Sequence, residues 1–127
     1  MINVLKHLPL TKALVLHKGT SFTATINLTS FVVVGGDVVG YACAKHYVSD
    51  ETPDLTFSVD ISAVDEDGVQ TLTISAPPEA SADLEAGYYF FDVVLHDPTP
   101  SPGSPETVLV STGMINVRNS VSSGMVV

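Results

Sequence analysis

The stretch that decides the fold of this chain is residues 84–95, which read Leu84-Glu85-Ala86-Gly87-Tyr88-Tyr89-Phe90-Phe91-Asp92-Val93-Val94-Leu95. Successive side chains of a β-strand point to opposite faces of the sheet. The stretch therefore predicts an inward face made of Tyr89, Phe91, Val93 and Leu95, and an outward face made of Tyr88, Phe90, Asp92, Val94 and His96. In many β-sandwiches a tyrosine near the start of the penultimate strand donates its hydroxyl to the backbone a few residues upstream, and Tyr89 stands at the position of this tyrosine corner.

Both faces of this strand are largely apolar. Such a strand either lies in the centre of a sheet with a cover on each side, or presents its outer face to another molecule. The sequence leaves both interpretations open.

The rest of the chain is rich in β-branched residues, with 19 valines, 5 isoleucines and 12 threonines among 127 residues. These side chains lose rotamer freedom in helices and pack well on pleated sheets. Alternating or apolar stretches predict further strands at residues 13–17, 21–28, 38–46, 57–63, 71–75 and 107–117, with a short extra strand at 31–34. The run Asp65-Glu66-Asp67-Gly68 predicts a hairpin connection in which Gly68 takes a positive φ.

Short strands separated by turn signals predict an all-β fold, an antiparallel immunoglobulin-like β-sandwich of seven to eight strands. One short helical crossover is expected at 77–84, where prolines open a stretch of helix-forming residues. A barrel is the alternative. We divide the chain into an N-terminal arm with the first strand (1–18), the sandwich (19–120) and a C-terminal tail (121–127).

The composition limits the classes of partner. Charged residues make up 15% of the chain, against about 25% in a typical soluble domain, and the formal net charge is −9. Such a chain repels nucleic-acid phosphates and anionic lipid headgroups, so we expect neither nucleic acid nor membrane as a partner. The low charge also predicts an unusually apolar surface.

Motifs for catalysis or cofactor binding are weak. Cys43 and four histidines show no zinc-ligand spacing, and no Gly-x-Ser-x-Gly elbow is present. The acidic groups at 50–54 and 65–67 suit solvated turns better than a calcium site, and the glycines at 35–40 precede a strand rather than the helix that a phosphate cradle needs. We expect Cys43 to be a buried small hydrophobe, and we expect no enzymatic activity, no cofactor and no metal.

Four pieces of the chain together resemble a known family. They are Gly19-Thr20-Ser21-Phe22, Gly40-Tyr41-Ala42-Cys43-Ala44-Lys45-His46-Tyr47, Leu84-x-x-Gly87-x-Tyr89-x-Phe91-Asp92-Val93-x-Leu95, and Gly113-x-Ile115-x-Val117-x-x-x-Val121-Ser122. In this order they resemble small virion proteins of tailed bacteriophages, and are similar to the N-terminal domain of phage upper baseplate proteins. The chain departs from the pattern at residues 36–39 and in a longer proline-rich arm at 97–105.

The resemblance, which spans residues 19–122, implies a β-sandwich without known catalytic residues. It places the protein in the tail, baseplate or fibre attachment of a phage particle, or on its head. The motif residues it marks are Gly19, Phe22, Gly87, Tyr89, Phe91, Asp92 and Gly113.

Both ends of the chain are apolar, whereas chain termini are normally polar and frayed. Each end either packs on its own domain as an extra strand or docks on a neighbouring subunit, and the scarcity of charge favours docking. The candidate interface residues are Ile2, Val4, Leu5, Leu8, Leu10, Tyr88, Phe90, Met125, Val126 and Val127.

These observations predict a non-enzymatic structural component of a tailed-phage virion, assembled in the host cytoplasm, that contacts other phage structural proteins and copies of itself. The tail, baseplate or fibre-attachment region is the favoured location. Two alternatives remain: a capsid decoration protein on the phage head, and a carbohydrate-binding or adhesin-like module in which Tyr88, Phe90 and Tyr47 stack on sugar rings.

Overall fold

A computed structural model of the chain describes residues 2–4, 10–29, 31–34 and 37–119. Within these residues the chain forms nine strands and one short helix. In chain order they are β1 (Ile2–Val4), β2 (Leu10–His17), β3 (Phe22–Asn27), β4 (Phe31–Val33), β5 (Val39–Lys45), β6 (Leu55–Ile61), β7 (Thr71–Ala76), α1 (Pro78–Ser81), β8 (Gly87–His96) and β9 (Thr107–Arg118). None of the helical structure described is long and apolar enough to cross a membrane.

Seven of these strands are hydrogen-bonded in the order β2-β9-β8-β5-β6-β7-β3. The order folds into two layers because β6 changes partner along its length. Residues 55–57 of β6 pair with β5, whereas residues 58–61 pair with β7. We call β2-β9-β8-β5 the front sheet and β6-β7-β3 the back sheet. The predicted all-β, immunoglobulin-like sandwich with one short helical crossover is confirmed.

The front sheet contains one parallel pair in an otherwise antiparallel fold. Strand β2, near the start of the chain, runs parallel to β9, from Leu10 beside Ser111 to His17 beside Arg118. The backbones approach closely at Gly113, where a Cβ atom would overlap the carbonyl oxygen of Lys12. Any side chain at this position would force the two strands apart. This is a steric reason for a glycine at position 113, one of the motif residues of the family resemblance.

The core lies between the inward faces of the two sheets. On β8 the residues Tyr89, Phe91, Val93 and Leu95 are all buried, and their neighbours in sequence alternate outward, as predicted. Phe22 of β3 is also buried, with its ring centroid 5.6 Å from that of Phe57. Burying one such side chain contributes about 1.5–3 kcal/mol, so the inward row of β8 is a principal source of stability.

The tyrosine corner is present at the start of β8. The Tyr89 hydroxyl donates a hydrogen bond of 2.6 Å to the carbonyl oxygen of Glu85, and the ring meets His46 edge-on with 4.9 Å between centroids. Gly87 lies between donor and acceptor with φ 144°, a conformation that favours glycine. This bond fixes how the chain enters the central strand.

Replacing Tyr89 by phenylalanine removes this hydrogen bond and leaves the ring in place. We expect Tyr89→Phe to lower the free energy of unfolding by about 1 kcal/mol or somewhat more, because the Glu85 carbonyl loses its partner. The control is Tyr88→Phe, since Tyr88 is exposed and its hydroxyl faces water. Denaturant melts of both variants measure the difference, and equal effects would contradict the corner.

The same tyrosine predicts a dependence of stability on pH. Burial raises the pKa of Tyr89 above its usual value, and the charges of Asp54 and Glu85 raise it further. The folded chain therefore releases this proton at higher pH than the unfolded chain. The contribution of Tyr89 to the stability of the fold is present below about pH 10, the ordinary tyrosine pKa. It is lost as the pH rises through the pKa that Tyr89 has in the folded chain. In melts above pH 10 the difference between wild type and Tyr89→Phe should shrink.

The N-terminal strand packs on its own domain. Strand β1 pairs antiparallel with β4, Ile2 is 1% exposed in the core, and Val4 packs against that core. The expectation that Ile2 and Val4 dock on a neighbouring subunit is therefore wrong, because β4 offers these residues a partner within the chain. Leu10 begins β2, while Leu5, Leu8, Met125, Val126 and Val127 lie outside the described residues.

A buried glutamine attaches the β1-β4 ribbon to the sandwich. The Gln70 amide accepts a hydrogen bond from the backbone N–H of Val33 at 2.8 Å. It also donates to the carbonyl oxygens of Val33 and Ser62, each at 3.0 Å. The side chain thus binds Val33 as a neighbouring strand would, and its buried polar atoms all have partners. The sequence contains no pattern that marks this role.

Replacing Gln70 by methionine keeps the size of the side chain and removes its hydrogen bonds. We expect Gln70→Met to lower the free energy of unfolding by about 2–3 kcal/mol, since the buried backbone groups of Val33 lose their partners. Hydrogen exchange should show the Val33 amide losing protection while the Val93 amide, on the central strand, changes only with global stability. Unchanged protection at Val33 would contradict the attachment.

The acidic hairpin connection has the predicted form. Gly68 has φ 78°, and the Asp65 carboxylate accepts the backbone N–H groups of Asp67 and Val69 at 2.9 and 2.8 Å. A turn stabilised in this way accounts for Asp65 as a structural residue.

Candidate functional site

The candidate site is the outward side of the front sheet, which we call the outer face. It consists of the residues that alternate with the buried positions of β2, β9, β8 and β5. The cross-strand register aligns them in rows. The rows are His17-Arg118, Val15-Asn116-Tyr88, Ala13-Met114-Phe90-Lys45, Thr11-Thr112-Asp92-Cys43, Leu109-Val94-Tyr41 and Thr107-His96-Val39.

The outer face concentrates the exposed apolar area of the protein. Of the 11 large apolar side chains that are exposed in the described part of the chain, seven belong to it. They are Tyr88 (61% exposed), Tyr41 (56%), Val15 (51%), Val39 (45%), Phe90 (44%), Leu109 (40%) and Met114 (39%). Tyr88 and Phe90 are outward, as predicted. Strand β8 is central in its sheet, yet no described element covers this side of it, so the interpretation with a cover on each side does not apply to the described residues.

The rows divide the outer face into two apolar patches and a polar band. The first patch contains Ala13, Val15, Tyr88, Phe90 and Met114, and its β2 side forms an open groove of about 580 Å³. The band contains Thr11, Thr112, Asp92 and Cys43. The second patch contains Val39, Tyr41, Val94 and Leu109. A β-bulge at Val93/Val94 lies between the band and the second patch.

The outer face carries few charges, and their sum is slightly positive. Its outward positions hold Lys45, Arg118 and Asp92, and Lys12 borders the groove at the edge of β2. His96 contacts the hydroxyl of Thr107 at 3.0 Å. With a net charge of −9 for the whole chain, the excess negative charge lies elsewhere. The outer face is thus the apolar side, poor in charge, of an acidic protein.

Cys43 lies in the polar band opposite Asp92. It is half-buried on the outer face and not in the core, so the expectation of a buried cysteine is corrected: the alternation of β5 places Ala42 and Ala44 inward instead. Burial raises the pKa of the Cys43 thiol, Asp92 raises it further, and Lys45 lowers it in part. At neutral pH the thiol is protonated, which is the unreactive form.

Removing the charge of Asp92 should make Cys43 more reactive. The variant Asp92→Asn no longer opposes ionisation of the thiol, so its pKa falls and more thiolate is present at pH 8. We expect a faster alkylation of folded Asp92→Asn than of folded wild type, measured with iodoacetamide. Asp60→Asn, on the back sheet, is the control and should leave the rate unchanged. Equal rates for wild type and Asp92→Asn would contradict the coupling.

A second hollow lies where β5 leads into β6, at His46, Tyr47, Asp50, Asp54, Asp83 and Glu85. Two of its acids have structural roles. The Asp54 carboxylate accepts the backbone N–H of His46 at 2.7 Å, and that of Asp50 accepts the N–H of Tyr47 at 3.4 Å. Across the described ranges, no three His, Cys, Asp or Glu side chains are grouped so as to hold a metal ion. Tyr47 belongs to this loop and not to the strands of the outer face.

Comparisons with known proteins give little beyond this geometry. No family model matches the chain, and no curated protein matches it. Among solved structures the chain is similar to AggA, the major subunit of aggregative adherence fimbriae type I from Escherichia coli. The identity is 10% and the TM-score 0.42, over 92% of this chain and 93% of that chain.

The residues marked by the resemblance mostly build the fold. Phe22, Tyr89 and Phe91 are buried, while Gly19, in the turn before β3, and Gly87, the first residue of β8, take positive φ. Asp92 is the member of this set whose side chain lies on the outer face. Sequence reasoning did not identify Val15, Tyr41, Leu109 and Met114 as neighbours of Tyr88 and Phe90. Their outward positions follow from alternation, but their adjacency depends on which strands pair.

Proposed function

We propose that this protein is a non-enzymatic structural subunit of a tailed-phage virion, located in the tail, baseplate or fibre-attachment region. It binds its partners through the outer face. The observation that carries the proposal is the exposed apolar surface spread over four adjacent strands.

The physical case for binding rests on the amount and placement of this apolar area. Removing apolar surface from water lowers the free energy by about 25 cal/mol for each Å² buried. Aromatic residues such as Tyr and Phe contribute much of the binding energy of protein interfaces. Phe90 and Tyr88 stand on the central strand β8, which is hydrogen-bonded on both sides. A surface held in this way loses little conformational entropy on binding.

The phage assignment is supported by the resemblance over residues 19–122. Its residues account for the core and the turns, and the outer face adds a surface suited to permanent contact.

Antibody labelling of purified particles tests the proposal. Labelled antibody against the protein, viewed by electron microscopy, should mark the tail tip or baseplate. Label on the head would favour the capsid decoration protein instead, and particles without label would overturn the virion role.

A matched pair of variants tests whether the outer face is responsible. Phe90→Asp places a charge in the first apolar patch, and Thr25→Asp places the same charge on an exposed position of β3 in the back sheet. We expect incorporation of Phe90→Asp into particles to fall at least tenfold, because a buried unpaired carboxylate is costly. Thr25→Asp should incorporate like wild type. Equal incorporation of the two variants would exclude the outer face as the contact.

One observation favours a second candidate, a carbohydrate-binding or adhesin-like module. The rings of Tyr88 and Phe90 are exposed on one strand at alternate positions, about 7 Å apart along it, a spacing on the scale of successive sugar units. A glycan array with monomeric protein tests this. Binding that Tyr88→Ala and Phe90→Ala abolish, and Tyr41→Ala retains, would favour the module.

A further inference from the structure

We propose that the partner of the outer face is a second copy of this chain, packed front sheet against front sheet about a two-fold axis. This inference rests on the proposed function, because it names an occupant for the same surface. Three features of the outer face support it: its charge, its symmetry and its size.

The outer face carries few charges for its size, which favours a partner that is itself apolar there. Lys45 and Asp92 stand on adjacent strands, in neighbouring rows of the register, and Arg118 lies at the end of β9. A strongly basic partner would be drawn to the remainder of the chain, where the negative charge resides. A second copy brings an equally apolar surface with the same few charges, so the contact removes few ions from water.

The register makes the outer face self-complementary. A two-fold axis that runs along the strands, midway between β8 and β9, places β8 of one copy over β9 of the other. The axis then places each cross-strand pair over the same pair of the second copy, with its two members exchanged. These pairs are Phe90 with Met114, Asp92 with Thr112 and Val94 with Leu109. Phe90 therefore meets the methionine of the second copy. Asp92 meets Thr112, whose hydroxyl can exchange its 3.4 Å hydrogen bond to the carbonyl oxygen of Phe91 for one to the carboxylate. The pairs Phe90–Met114 and Val94–Leu109 thus bring apolar residues of each patch against apolar residues of the second copy, as a two-fold interface arranges them.

The outer face is large enough for a stable contact. Four strands at a spacing of about 4.8 Å, and nine residues of β8 at about 3.4 Å each, cover roughly 19 by 31 Å, or about 600 Å² in projection. The accessible area of a surface with protruding side chains exceeds its projection. It thus approaches the roughly 800 Å² per partner of a standard interface. Two sheets packing face to face with nearly aligned strands is the normal arrangement inside a β-sandwich.

Sedimentation velocity on the full chain tests the inference, at a series of protein concentrations and in increasing NaCl. Wild type should form a dimer whose dissociation constant falls several-fold between about 0.1 and 1 M salt, over which the Debye length shrinks from about 10 Å to 3 Å. The reason is that two chains of charge −9 repel each other while the apolar contact does not depend on salt. A dimer that weakens with salt, or wild type that stays monomeric throughout, would overturn the inference.

Variants locate the contact. Phe90→Asp should raise the dissociation constant at least 100-fold, whereas Thr25→Asp should change it less than about threefold. Circular dichroism verifies that each is folded. If Phe90→Asp does not fold, the milder Met114→Gln takes its place and should raise the constant at least tenfold. A dimer disrupted by Thr25→Asp and retained by Phe90→Asp would place the contact on the back sheet and overturn the inference.

Cys43 gives an independent readout in the wild-type chain. It lies in the polar band, so the second copy should shield its thiol. Alkylation of wild type should slow as the protein concentration rises through the dissociation constant, and Thr25→Asp should behave alike. A rate independent of concentration in a solution of dimers would contradict the face-to-face arrangement.

Together with particle labelling, these measurements separate the two proposals. A monomer that is nevertheless found in particles would overturn the second copy as partner and leave the structural role intact, with another virion protein on the outer face. A dimer that is absent from particles would overturn the virion role and leave the self-association intact.

Discussion

The structure depends on the pairing of β8 with β9 on one side and β5 on the other. This pairing sets the row Tyr89, Phe91, Val93 and Leu95 against the core, each at most 3% exposed. The chain has one cysteine and so cannot form an internal disulfide, and the core must supply the stability. The Tyr89 hydrogen bond to Glu85 serves this pairing by directing the chain into β8, and Gly113 extends the sheet by allowing β2 to approach β9.

The outer face follows from the same pairing. In a strand of period two, burying Tyr89 and Phe91 forces Tyr88 and Phe90 to the opposite side. The flanking strands then add Met114, Leu109 and Tyr41 next to them. Therefore none of the described residues covers this apolar area, whereas the apolar residues on the inward faces of the sheets are buried. Area that the fold leaves exposed is available for association, which links the architecture of the sheet to the proposed role as a subunit.

The N-terminal ribbon shows the opposite outcome for apolar residues. Ile2 enters the core because β4 offers it a strand partner, and the Gln70 amide connects that ribbon to the sandwich through the backbone of Val33. A hydrogen-bonding amide in this place satisfies backbone groups that would otherwise be buried without partners. The same composition, poor in charge, thus leads to an internal strand at one place and to an open surface at another.

The sequence by itself determined the approximate positions of strands β2 to β9, the inward row of β8, the tyrosine corner, the positive φ of Gly68 and the outward placement of Tyr88 and Phe90. All of these are local, because alternation and turn chemistry act over a few residues. Only the tertiary structure decided that β2 lies parallel to β9, that Ile2 is in the core, that Cys43 faces outward, and that Gln70 binds Val33 across 37 positions of sequence. It also decided that outward residues from four strands form one surface. The physical reason is that strand order joins segments distant in the chain, and a period of two specifies which face a residue occupies without specifying which strand lies beside it.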